Sequence, residues 1–113
     1  MLCVAMLDPL LARELERLQV VLAQHGETDL AQKVHAALHG SKEDLRAFLM
    51  SNDLWGGAGS IADQAGAGQG RQVRREIEAV LCSLGVRQMQ HGVVNVRTAM
   101  WVDAFLKWQR ERV

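Results

Sequence analysis

The 113-residue chain contains no tyrosine, one proline, two cysteines and no excess charge of either sign. Cys3 and Cys82 form no C-x-x-C pair and have no histidine at zinc-finger spacing, which argues against a disulfide framework and a structural zinc site. Thirteen Lys and Arg balance thirteen Asp and Glu, whereas sequence-independent binding to nucleic acid depends on Lys and Arg that neutralise phosphates. We therefore expect no nucleic-acid partner.

Long apolar runs are also missing. No run approaches the roughly 18 apolar residues that indicate a transmembrane helix. The apolar residues 1–7 are few, and they lack the basic region and the small-residue cleavage site of a secretory signal peptide. These absences predict a cytoplasmic protein that does not bind a membrane.

The overall composition is that of an ordinary globular domain, with 49% hydrophobic and 23% charged residues. A chain of this length buries enough surface for one core and too little for two, so we predict a single helical domain over residues 1–113. Residues 1–53 hold five basic and eight acidic side chains, whereas residues 54–113 hold eight basic and five acidic ones. The two halves would either attract each other within the fold or form opposed surfaces that suit a charged partner or self-association.

Leucines at helical spacing predict the first helix, over residues 9–25. Asp8 and Pro9 supply an N-cap acceptor and a preset φ at its start, and Gly26 suits the turn that ends it. The apolar stripe of this helix consists of Leu11, Leu15, Leu18 and Leu22.

Two further helices are predicted in the first half of the chain. The second spans about residues 28–39, with Thr28 as its N-cap. The third spans residues 42–51 and follows Ser41, which together with Asp44 resembles a capping box.

The C-terminal part of the chain predicts two longer helices. One begins at Arg71 and ends at Gly85, because glycine commonly follows the last turn of a helix. The other spans about residues 96–111, with Asn95 as its cap. A strand is an alternative prediction for residues 86–97. The stripe of the last helix consists of Trp101, Phe105 and Trp108, widened by Val102 and Leu106. The fold class predicted is all-α, a compact bundle of four to five helices with a Gly-rich central loop.

The central segment is unusual because six of the ten glycines lie between Gly56 and Gly70. Ser60 and Asp63 form a capping signature that predicts a short helical turn over residues 60–65. The simplest interpretation is tight packing, with Leu54 and Trp55 in the core and glycines that let the chain turn sharply. The alternative is a binding loop formed by Asn52, Asp53, Trp55, Ser60, Asp63 and Gln64.

No pattern in the chain supports a cofactor or a metal site. Gly57-x-Gly59-x-x-Ala62 loosely matches a dinucleotide fingerprint, but that motif follows a strand, and here a helix precedes it. His35 and His39 are four residues apart on a predicted helix, a spacing able to hold a metal, yet no third ligand is evident. We predict neither a cofactor nor a metal.

Catalytic signals are equally weak. Ser60 does not lie in a Gly-x-Ser-x-Gly motif, and Cys82 lies in an apolar helix, where cysteine usually packs as a small hydrophobe. No catalytic residue is predicted, and the protein is more consistent with a non-enzyme than with an enzyme.

Tryptophan is the aromatic residue that stands out, with three among five aromatics. The simplest interpretation is that all three anchor the core. The alternative is a partner-binding surface, because Trp and Arg are enriched at interface hot spots. Such a surface would use Arg97, Trp101 and Arg110.

Residues 52–64, which read NDLWGGAGSIADQ, resemble the signature segment of a group of short, uncharacterised bacterial proteins. Residues 92–98, with Trp101 and Phe105, belong to the same pattern, so that the resemblance covers the C-terminal two-thirds of the chain. The group has no assigned activity. The resemblance implies a small stand-alone bacterial protein, a kind that often serves as an immunity protein or as another partner of a larger protein.

The function predicted is therefore protein–protein interaction without catalysis, by an immunity-like protein or a small regulator. Two alternatives stay open. One is a small-ligand or anion binder, possibly an enzyme, that uses the Gly-rich segment 52–66. The other is a structural homodimer formed through an incompletely covered apolar stripe.

Overall fold

The computed structural model describes residues 9–57, 59–64 and 67–111. All regular structure in these residues is helical, which confirms the all-α prediction. Five helices have eight or more residues, and two are single turns. In chain order they are α1 (Pro9–Gln24), α2 (Thr28–Leu38), α3 (Lys42–Leu49), α4 (Asn52–Trp55), α5 (Ile61–Gln64), α6 (Arg71–Gln90) and α7 (Val96–Glu111). Asp8, the predicted start of the first helix, and residue 65, the last of the turn predicted over residues 60–65, lie outside the described residues.

Helix α1 packs on both α2 and α6, and its leucine stripe forms the centre of the core. Gly26 ends this helix as predicted, with a positive φ of 80° that a side chain would strain. The core-facing leucines Leu11, Leu15, Leu18 and Leu22 are all at most 1% exposed.

One acidic residue of α1 is unexpectedly buried. Glu14 accepts hydrogen bonds from Arg17 Nη1, at 2.8 Å, and from the Ser83 hydroxyl of α6. The carboxylate therefore has polar partners where α1 meets α6, as a buried charge requires.

The helix caps divide into confirmed and incorrect predictions. The capping box of α3 is present, because the Asp44 amide donates to Ser41 Oγ at 3.0 Å and the Ser41 amide donates to the Asp44 carboxylate at 3.2 Å. The prediction that Thr28 caps α2 is wrong. Thr28 is the first helical residue, and Glu27 occupies the cap position without a side-chain hydrogen bond.

Gly85 does not end its helix. Helix α6 continues through it to Gln90, and the glycine lies where α6 packs against α7. A Cβ atom built on Gly85 would lie 2.5 Å from Val102 Cγ2 on α7 and 3.3 Å from the indole of Trp55. The missing side chain lets α6 and α7 approach closely.

Helix α7 buries a narrower stripe than predicted. Phe105 and Val102 are buried, whereas Leu106 is 40% exposed, so its predicted place in the stripe is wrong. Asn95 caps the helix as predicted, with its side-chain oxygen accepting from the Arg97 amide at 2.8 Å.

The strand left open over residues 86–97 is absent from the described structure. Residues up to Gln90 complete α6, and α7 begins at Val96. The resulting body measures 40 × 27 × 23 Å. No helix within the described ranges is long and apolar enough to cross a bilayer.

Candidate functional site

Trp55, a predicted binding-loop residue, lies at the centre of a buried hydrogen-bond network. Its side chain is fully buried, and its Nε1 donates to Gln88 Oε1 at 3.0 Å. The Gln88 Nε2 group lies 3.0 Å from the Leu49 carbonyl, 3.2 Å from the Val93 carbonyl and 3.3 Å from Thr98 Oγ1. Two N–H bonds are thus shared among three acceptors. The network joins α3, α4, α6 and α7, which makes Trp55 a structural anchor.

Ser60 is likewise occupied within the fold. Its buried hydroxyl donates to the Gly56 carbonyl at 2.7 Å and accepts from the Asp63 amide at 3.1 Å. The Asp63 carboxylate in turn accepts from the Gly59 amide at 3.2 Å. These bonds confirm the capping signature at the start of α5, and they leave Asp63 exposed at the surface.

The remaining polar residues of the predicted loop do not converge. Asn52, Asp53 and Gln64 are all exposed. Asp53 borders a depression beside α2 and α3, whereas Gln64 borders another at the start of α2. The segment therefore presents separate polar groups and not one enclosed pocket.

A groove of about 420 Å³ does bring together two of the predicted site residues, Asp63 and Trp101. It lies where α5, α6 and α7 meet, and we call it the aromatic groove. Its lining residues are Ala62, Asp63, Ala67, Arg74, Glu78, Trp101 and Trp108.

Both indoles of the aromatic groove contact Phe105 on α7, and Trp101 is also hydrogen-bonded to the turn at residues 55–56. Trp101 Nε1 donates to the carbonyls of Trp55 at 3.0 Å and Gly56 at 3.3 Å. The ring of the buried Phe105 lies 5.5 Å from that of Trp101 and 5.8 Å from that of Trp108. These separations are typical of favourable aromatic pairs. Both indoles stay partly exposed, so each contacts Phe105 while part of its surface faces solvent.

Charged groups complete the groove. Arg74 Nε lies 3.9 Å from Glu78 Oε2, one helical turn along α6. The Glu78 side chain is only 16% exposed. Burial raises the pKa of its carboxyl group, while the nearby Arg74 and Arg75 guanidinium groups act in the opposite direction.

The predicted partner surface is only partly assembled. Arg97 lies one turn before Trp101 on α7, near Gly57 of the adjacent loop. Arg110 follows Trp101 by nine residues, which places it about 180° around the helix axis. Arg97 and Trp101 therefore share a side of the helix, and Arg110 lies away from them.

Sequence reasoning missed Arg74, Glu78 and Trp108 as candidate binding residues. A usable signal existed within each helix. Arg74 and Glu78 are spaced i, i+4 on α6, and Trp101 and Trp108 are spaced i, i+7 on α7. What the spacing could not show is that the two helices place these pairs around the same groove.

The histidine and cysteine candidates have simpler environments. The rings of His35 and His39 are 4.3 Å apart, and Gln19 Nε2 lies 3.1 Å from His35 Nδ1. Over the described residues, no group of three or more His, Cys, Asp or Glu is placed to hold a metal ion. Cys82 is buried, and burial raises the pKa of its thiol, which disfavours the thiolate needed for nucleophilic attack.

No protein-family model matches the chain, and comparisons with curated proteins and with solved structures also give no match. The resemblance of residues 52–64 to a bacterial group therefore stays a prediction. The aromatic groove is the feature of the described residues that points to a function.

Proposed function

We propose that this protein is a non-enzymatic binding module that holds a segment of a protein partner in the aromatic groove. The observation that carries the proposal is the partial exposure of Trp101 and Trp108 on either side of the buried Phe105. Tryptophan is among the residues most enriched at interface hot spots, and these two indoles are accessible to a partner.

The three tryptophans differ in burial, and this difference supports the proposal. Trp55 is enclosed and hydrogen-bonded to Gln88, so the core already contains one complete indole. The other two indoles border a recess with acidic and basic side chains around it. An apolar centre with a polar rim is the usual composition of a protein interface.

The proposal extends to a biological setting. An immunity-like protein or a small regulator in the bacterial cytoplasm would need a partner surface and no catalytic group. The resemblance of residues 52–64 to short bacterial proteins supports this setting. The absence of a recognisable catalytic motif in the sequence supports a function without catalysis.

The test compares partner capture by matched variants of the full chain. Trp108→Ala removes a groove indole, whereas Leu106→Ala removes an exposed apolar side chain of the same helix that does not line the groove. Each variant, first checked for a native circular dichroism spectrum, is used as bait in lysate from the native source. We expect one stoichiometric partner with the wild type and with Leu106→Ala, and about tenfold less with Trp108→Ala. Equal capture by both variants would overturn the proposal.

A homodimer is a second candidate because one end of the molecule exposes an apolar patch. Val94 is 60% exposed, Val96 76% and Met100 65%. Val94 precedes α7, Val96 and Met100 lie near its start, and none of the three lines the aromatic groove. The two candidates therefore use different surfaces and can be separated by mutation.

A further inference from the structure

The charges in the aromatic groove do not balance. Arg74 and Glu78 lie 3.9 Å apart and offset each other, whereas Asp63 of α5 adds a second carboxylate to the lining. Asp63 Oδ2 accepts from the Gly59 amide, a neutral donor that leaves the carboxylate charge in place. The lining residues thus carry two carboxylates and one guanidinium, while Arg75 acts on Glu78 from outside the lining.

The two indole rings of the groove also favour a cation. The face of an indole ring is electron-rich and attracts cations, and arginine is the cation found there most often. A guanidinium group is planar, so it can stack on an indole while its edge donates hydrogen bonds to a carboxylate.

Other occupants fit less well. An aliphatic side chain would displace water from Asp63 and Glu78 without offering them a hydrogen bond, which costs free energy. Among the lining residues, a carboxylate would meet two groups of its own sign and one guanidinium, that of Arg74.

We infer that the aromatic groove receives an arginine side chain of the partner, with its guanidinium against Trp101 and Trp108 and its N–H groups donating to Asp63. This inference rests on the proposed function, and it specifies the chemistry that the partner must present.

The direct experiment titrates the full-length, ¹⁵N-labelled protein with N-butylguanidinium, a free analogue of the arginine side chain. N-butylurea is the neutral analogue of the same shape, pentanoate is the anionic one and butylammonium represents lysine. The readout is the set of three indole N–H signals. Trp55 is an internal reference, because it is fully buried and outside the groove.

We expect saturable shifts at Trp101 and Trp108, little change at Trp55, and binding of N-butylguanidinium about fivefold tighter than that of N-butylurea. Binding of N-butylurea or pentanoate as tight as that of N-butylguanidinium would overturn the inference. Tighter binding of butylammonium would overturn the choice of arginine.

Matched variants test the charge argument separately. Asp63→Asn is expected to weaken N-butylguanidinium binding about two- to fivefold, and Arg74→Gln to strengthen it by a similar factor. Asp103→Asn is the control, since Asp103 is an exposed aspartate of α7 that does not line the groove. The inference fails if Asp63→Asn and Asp103→Asn give the same affinity.

The two proposals can fail independently. If N-butylguanidinium does not bind while partner capture still depends on Trp108, the arginine inference is wrong and the proposed function stands. If Trp108→Ala captures as much partner as Leu106→Ala does, the proposed function is wrong, whatever the titration shows.

Discussion

Gln88 connects four parts of the chain through one buried amide. Its oxygen accepts from Trp55 Nε1, and its nitrogen donates to the Leu49 and Val93 carbonyls and to Thr98 Oγ1. A buried polar group without a hydrogen-bond partner costs the full free energy of its desolvation. The stability of the fold therefore depends strongly on the Gln88 amide.

We expect Gln88→Leu to lower the free energy of unfolding by about 3 kcal/mol, because a side chain of similar size would leave several buried groups unpaired. Gln109→Leu is the control at an exposed glutamine of α7, with an expected change within about 0.5 kcal/mol. Urea denaturation measures both. Equal effects of the two substitutions would contradict the structural role of the network.

Glu78 gives a pH dependence with a definite sign. Burial raises the pKa of this carboxyl group in the folded state, so the folded protein binds the proton more tightly than the unfolded chain does. The contribution of Glu78 to stability is therefore fully present below the unfolded pKa, and it is lost as pH rises through the folded pKa.

We expect Glu78→Gln to gain stability relative to the wild type as pH rises from about 3 to about 7, because glutamine has no carboxyl proton to lose. In an Arg74→Gln background the gain should be larger, since Arg74 opposes the raised pKa. Urea midpoints across this pH range provide the measurement. A difference that stays flat or shrinks with rising pH would show that the sign is wrong.

At the scale of helices, Gly85 lets α6 and α7 pack closely against each other. Alanine is normally the better helix former by about 1 kcal/mol, but a methyl group at this position would meet Val102 Cγ2 at 2.5 Å. Packing therefore reverses the usual preference at this position.

We expect Gly85→Ala to destabilise the fold by about 2 kcal/mol, despite the gain in helix propensity. Val102→Ala removes the opposing methyl groups, and it destabilises on its own by leaving a cavity. The double variant should be more stable than the sum of the two single effects by at least about 1 kcal/mol, as measured by a double-mutant cycle in urea. Simple additivity would mean that the two helices do not meet at this position.

The helix caps offer a second comparison. Ser41 caps α3 through a reciprocal pair of hydrogen bonds with Asp44, whereas Thr28 is the first residue of α2 and does not cap it. Ser41→Ala is expected to cost about 1 kcal/mol and Thr28→Ala well under half of that, as measured by thermal unfolding. A larger loss for Thr28→Ala would place the cap of α2 at Thr28 after all.

The long helices could be predicted because their signals are local. The leucines of α1 repeat at helical spacing, and the Ser41–Asp44 and Ser60–Asp63 caps are short patterns that the structure confirms. The packing role of Gly85 within α6 could not be predicted, since it depends on Val102, which lies 17 residues farther along the chain. The turn of α4 was missed because four residues show no periodicity.

At the scale of the whole molecule, the aromatic groove could not be predicted because it belongs to no single element. Asp63 comes from α5, Arg74 and Glu78 from α6, and the indoles from α7. The sequence indicated Asp63 and Trp101 as members of two separate candidate sites. Packing of the three helices brings them to the same groove.

The exposed patch formed by Val94, Val96 and Met100 is small for a self-association surface. Three side chains are few compared with the 20 to 30 residues per partner of a typical stable interface. We therefore expect sedimentation at micromolar concentration to give the monomer mass of 12.5 kDa. A dimer that Val96→Lys dissociates would instead favour the homodimer candidate.

The enclosure of Trp55 has an optical consequence. The chain contains no tyrosine, so its ultraviolet emission comes from one enclosed indole and two that face water at the groove. Acrylamide should quench the emission of Trp101 and Trp108 and leave a blue-shifted remainder from Trp55. The protein thus carries two built-in fluorescent reporters, one for its folded interior and one for occupancy of its surface.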